Sequence, residues 1–163
     1  MARTQAMITR SPGENVDLES VVHEELLSQG AEPKNYQVKG PKVHLSPRTA
    51  EVMTLAIHEL ATNGVKYGAL GRQDAFTAVT WDEEERDGAA WLRFAWRESG
   101  VAMPKDHGAG FGTELITRRI PFELDGEASL DFEPDGLTAH LVFPLRDGGS
   151  VLQTNPLRQG GLE

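Results

Sequence analysis

The stretch AIHELATNGVKYGAL, Ala56–Leu70, decides how this chain is read. Extended back to Glu51 and placed on a helical wheel at roughly 100° per residue, Met53, Ile57, Leu60, Ala61 and Gly64 share one face. Glu59, Asn63 and Lys66 share a nearly opposite one. The polar set is a stripe that combines a carboxylate, a neutral amide oxygen and a cation within two turns. An amide oxygen is a hard donor that suits Mg²⁺. A lysine suits a phosphate. A carboxylate can hold a metal-bound water or accept a proton. The same stripe also fits a solvated face, because charged residues usually sit at the surface. Asn63-Gly64 weighs against that plainer reading. Both residues are poor helix formers in a helix interior, and a local violation of propensity is often a functional compromise.

Working outward, Ser46 and Pro47 open this helix as N-cap and first-turn residue, and the pattern carries it to about Gly68. Upstream, VDLESVVHEELLSQG has Leu18, Val21, Val22, Leu26 and Leu27 at helical spacing, with Gly30 as the stop. YQVKGPKVHLS alternates and is broken by Gly40-Pro41, which predicts two short strands. Downstream, AFTAVTWDEEERDGAAWLRFAWRES predicts a hairpin turning at Asp87-Gly88. TELITRRI predicts a short helix, and ASLDFEPDGLTAHLVFPL a second hairpin around Pro134-Asp135-Gly136. The chain from Arg146 onward is Gly-rich and reads as a loose tail. Hairpins and helices in this order predict an α+β two-layer sandwich, with a mixed, mostly antiparallel sheet and its helices on one face.

Two further segments carry candidate chemistry. HGAGFGTELI places Gly108, Gly110 and Gly112 just before a helix that starts near Thr113. Glycines let backbone N–H groups approach an anion, and a following helix N-terminus adds partial positive charge. A plain flexible loop has the same composition. The loop follows no buried parallel strand and lacks Gly-Lys-Ser/Thr, which disfavours Rossmann and P-loop sites. Glu98 lies at a strand end, before a bend at Gly100. A carboxylate there could accept a hydrogen bond from an amino group such as that of adenine, or could be an ordinary surface residue.

Composition narrows the classes. The chain has 163 residues and a formal net charge of -9, which opposes non-specific binding to nucleic acid. Cysteine is absent, which removes disulfides and thiolate metal sites and fits a reducing, cytoplasmic setting. No apolar run is long enough to span a membrane. Among the histidines, His23, His44, His107 and His140 show no metal-ligand spacing.

The Asn-bearing helix, the carboxylate-glycine strand end and the G-x-G-F-G-T loop, in that order, resemble the Bergerat ATP-binding fold shared by gyrase, MutL and the histidine kinases. More narrowly, the chain resembles the catalytic domain of the HWE group of sensor histidine kinases. His58 in HELATNGVKYGAL and Trp96-Arg97-Glu98 match the motifs that name that group. The resemblance runs from about Asp17 to Leu145. It implies an ATP-binding domain over 17–145, preceded at 1–16 by the end of an upstream dimerisation region or an artificial edge, and followed by a tail at 146–163. It implies phosphoryl transfer from Mg-ATP to a histidine on a separate dimerisation domain, with a response regulator downstream.

By the same resemblance Asn63 would ligate Mg²⁺, and Glu59 would position or deprotonate a group near the γ-phosphate. Lys66 would contact phosphate, and Glu98 would replace the more usual aspartate that reads the adenine amino group. Gly100 keeps the first glycine of that motif, whose second glycine is missing here. Gly108, Gly110, Phe111, Gly112 and Thr113 would form the lid and phosphate-side loop. His58 would either orient Glu59 or simply pack. His23 lies in a helix with no acceptor motif around it and reads as a surface or partly packed residue. Two other readings stay open: an ATPase or serine kinase of the same fold, of the anti-sigma type, and a nucleotide-binding interaction module without transfer activity.

Overall fold

The Asp17 carboxylate accepts a hydrogen bond from the Ser20 amide at 3.2 Å and so starts the first helix. The computed structural model describes residues 15–102 and 113–145. The elements in order are β1 (Val16–Asp17), α1 (Leu18–Ser28), β2 (Tyr36–Lys39), β3 (His44–Leu45) and α2 (Pro47–Lys66), then β4 (Phe76–Arg86), β5 (Ala89–Ser99), α3 (Thr113–Leu124), β6 (Glu127–Glu133) and β7 (Gly136–Pro144). Single 3₁₀ turns fall at Pro33–Asn35 and Ala69–Gly71.

The five-stranded sheet has the order β2-β4-β5-β7-β6. β2 runs parallel to β4, and the other pairs are antiparallel. The mixed, mostly antiparallel sheet expected from the sequence is therefore present. Alternation sends Val79, Trp81, Leu92, Phe94, Trp96, Ala139, Leu141 and Phe143 to one face, where all are buried. α1 presents Leu18, Val21, Val22 and Leu26 to that core, α2 presents Met53, Ile57, Leu60 and Ala61, and α3 presents Ile116 and Ile120. The opposite face carries Thr80, Asp82, Arg93, Arg97 and His140, all exposed. That arrangement is a two-layer α+β sandwich.

Local chemistry explains the boundaries. Ser46 caps α2 through its side chain, which accepts from the Thr49 amide at 3.2 Å. α1 ends where Gly30 takes φ +78. The β4–β5 turn has Asp87 at φ 52 and Gly88 at φ 81, the mirror-image turn that matches strand twist. Three details differ from the sequence reading. α2 stops at Lys66, two residues early, because Tyr67 leaves helical geometry. Val16 falls outside the expected boundary at residue 17, yet it is buried and pairs with Leu45 in a separate two-stranded sheet. α3 continues past Ile120 through Pro121 to Leu124.

Candidate functional site

The site is built where the end of β5 meets the end of α2. Glu98 is the tenth residue of β5, on the inward-facing side, and is only 4% exposed. The surface reading of that carboxylate is therefore overturned. A buried carboxylate needs hydrogen-bond donors, since even a neutral polar group left unpaired costs ~2–7 kcal/mol and an ionised carboxylate costs more. The structure supplies one for each oxygen. The Ala69 amide N–H donates to Oε1 at 3.0 Å, and the Trp96 indole N–H donates to Oε2 at 2.9 Å. The first donor comes from the turn after α2 and the second from β5 itself.

One glycine makes room for this group, and a second lies beside it. A Cβ at Gly68 would collide with Glu98 Oε1. Gly68 has φ -122 and ψ -149, and that negative φ is open to other residues. So this glycine answers a need for space and not for an unusual backbone angle. A Cβ at Gly64 would lie 3.2 Å from Leu70 Cδ1 and 3.4 Å from Glu98 Oε2. The helix-interior Gly64, which costs about 1 kcal/mol of helix propensity, thus makes room chiefly for Leu70, and its contact with the carboxylate would be an ordinary one.

The stripe on α2 lies beside this point. Glu59 and Asn63 are half-buried and Lys66 is exposed. Over seven residues they span about 10 Å of helix axis. Among the described residues none of the three side chains makes a hydrogen bond or ion pair. Thus Glu98 sits next to the last turns of the helix that bears Asn63 and Lys66.

The chain is 33% identical over 129 residues to a blue-light-activated histidine kinase of Brucella anthropi, an alignment covering 74% of this chain and 26% of that protein. It is 33% identical over 139 residues to blue-light-activated histidine kinase 1 of Erythrobacter litoralis, covering 79% and 37%. The chain belongs to the histidine kinases. It spans roughly a quarter to a third of the length of those relatives. No family model matches it. In fold, the kinase domain superposes on the catalytic domain of histidine kinase ThkA with a TM-score of 0.61 at 10% identity, covering 83% of this chain and 98% of that one. It superposes on the histidine kinase domain of an Erythrobacter litoralis blue-light-activated kinase with a TM-score of 0.62 at 16% identity, covering 87% and 69%.

The other expected residues of the kinase domain fall as follows. Gly100 has φ +83, and its N–H donates to Asp135 Oδ1 at 3.2 Å, tying the β5 end to the β6–β7 turn. Thr113 is the first residue of α3. Gly108, Gly110, Phe111 and Gly112, and His107 with them, lie outside the described residues. His58 neither orients Glu59 nor simply packs: its Nδ1 lies 2.9 Å from Glu25 Oε1 on α1. His23 is partly exposed and lies 3.5 Å from Glu19. A hollow of about 550 Å³ lies on the other face of the sheet, among Thr80, Asp82, Glu84, Arg93 and His140, and the sheet separates it from α2.

Sequence reasoning missed Gly68 and Ala69 and gave Trp96 no role. No local signal marked them: a glycine directly after a helix, as in KYGAL, is an ordinary helix-end residue.

Proposed function

We propose that this domain belongs to the HWE group, binds Mg-ATP and transfers the γ-phosphoryl group to a histidine imidazole on the dimerisation domain of its own full-length protein. The phosphohistidine then serves a response regulator, and the reaction takes place in the cytoplasm. The observation that carries this reading is the buried, doubly held Glu98 carboxylate beside the Asn63-bearing end of α2. A buried acceptor of that kind suits a base with an exocyclic amino group, as adenine has.

The donor set was weighed against magnesium. Among the described residues no group of three His, Cys, Asp or Glu side chains could hold a metal alone. Mg²⁺ usually takes one or two protein ligands and completes its shell with waters and substrate phosphates. One half-buried amide, Asn63, fits that habit. When bound, the ion neutralises charge on the phosphates. Lys66, exposed one turn further along α2, supports binding of phosphate oxygens as a point charge. Glu59, one turn before Asn63, orients the attacking imidazole or takes its proton. We assign contact with the phosphates to Gly108, Gly110, Phe111, Gly112 and Thr113, because glycine N–H groups before a helix suit an anion.

The test is a titration of a fluorescent ATP analogue with and without Mg²⁺. Asn63→Ala should remove the Mg²⁺-dependent part of the affinity and leave the circular dichroism spectrum unchanged. Binding by that variant as tight as wild type, with the same Mg²⁺ dependence, would sink the assignment.

A further inference from the structure

We infer that Trp96 is a positioning residue for base recognition: with the Ala69 amide, its indole N–H fixes the Glu98 carboxylate and so sets the preference for a base that carries an amino group. The inference rests on the reading above, in which Glu98 meets the base. Trp96 and Glu98 are two residues apart on β5, so both side chains project from the same face of the sheet. Trp96 is fully buried, and its Nε1 lies 2.9 Å from Glu98 Oε2.

The need for such a clamp follows from the side chain. The last torsion of a glutamate is broad and roughly two-fold, so a carboxylate at that distance from the backbone turns easily. Selecting one base by hydrogen bonding requires an acceptor at a fixed place. Here the carboxylate is held from two elements at once, by the indole on β5 and by the Ala69 N–H at the end of α2. Gly68 closes the cradle: a Cβ there would push Oε1 away. A carboxylate offers about four acceptor positions, so an oxygen that already accepts from an N–H can still accept from a ligand. A buried indole N–H needs an acceptor in any case, and here that acceptor is the carboxylate assigned to the base, so meeting the indole's need also fixes the carboxylate.

The experiment compares Mg-ATP with the triphosphate of purine riboside, which lacks only the exocyclic amino group. Both compete against a fluorescent ATP analogue on wild type, Trp96→Phe, Gly68→Ala and Glu98→Ala. Wild type should prefer ATP by about ten-fold. Trp96→Phe keeps an aromatic ring but removes the N–H, and its preference should fall to about two-fold or less, as one lost buried hydrogen bond allows. Gly68→Ala crowds the same carboxylate while leaving the Trp96 side chain intact and should lose the preference too. It carries the comparison should Trp96→Phe fail to fold. A packing role alone would weaken both nucleotides equally and leave their ratio unchanged, and that result in Trp96→Phe overturns the inference. Glu98→Ala separates the two levels. If it keeps the wild-type ratio, Glu98 does not read the base, and both ideas fall together. If it loses the ratio while Trp96→Phe and Gly68→Ala keep it, only the positioning role falls.

Discussion

A glutamate at position 98 reaches further than an aspartate by one methylene, and the protein uses that reach. Oε1 gets to the Ala69 amide across the gap left by Gly68, while Oε2 stays on the Trp96 indole. Glu98→Asp would draw the carboxylate back and leave buried N–H groups without an acceptor. Each costs roughly 1–3 kcal/mol. We therefore predict that Glu98→Asp lowers unfolding free energy by about 1–3 kcal/mol, read from urea denaturation, and weakens ATP binding as well. Unchanged stability would show that the two donors find other partners. At this scale the sequence disclosed which residues carry chemistry but not how they are held. A strand-end carboxylate can be seen in Trp96-Arg97-Glu98. Its burial depends on a glycine some thirty residues earlier, and no local pattern links the two.

The elements were largely legible because their signals are local. Ser46-Pro47 starts a helix, Asp87-Gly88 turns a hairpin, and the apolar spacing in α1 and α2 marks the faces that prove buried, except for Leu27, which is exposed. Misreadings occurred where tertiary packing overrides such signals. A proline inside a helix costs about 3 kcal/mol, which argues for an end before Pro121. Yet Leu124 is buried against the core, and the helix runs on to reach it. The two-residue β1 is too short for any period and exists because Val16 finds Leu45. A contact between elements is likewise invisible in either one alone. His58 on α2 and Glu25 on α1 join the two helices at 2.9 Å. His58→Ala should lower stability by about 1 kcal/mol. In a double-mutant cycle with Glu25→Ala the two losses should not add. Full additivity would mean that the contact contributes nothing.

For the whole molecule, the proposed reaction joins a nucleotide site to a histidine that the domain itself does not present. Of its five histidines, those in the described residues are engaged elsewhere or exposed on strands. We predict no label on the chain incubated alone with γ-labelled ATP, and acid-labile label on an added dimerisation domain from its own full-length protein. A tether supplies an effective concentration of about millimolar order, so transfer to the free partner should be slow and should rise with partner concentration. Label on His23 of the chain alone would contradict this. The described sheet also has two margins, and they differ. β2 is four residues long, which leaves little backbone for another chain to pair with. β6 is seven residues long, and its outward positions are Glu127, Ser129, Asp131 and Glu133, all exposed. Three carboxylates along one margin repel an identical margin on a neighbouring copy, so strand-to-strand stacking is penalised where a cell holds many copies at once. Valine at 127, 131 and 133 should turn that insulated rim into a sticky one, seen as light scattering on warming at a temperature where the parent chain stays clear.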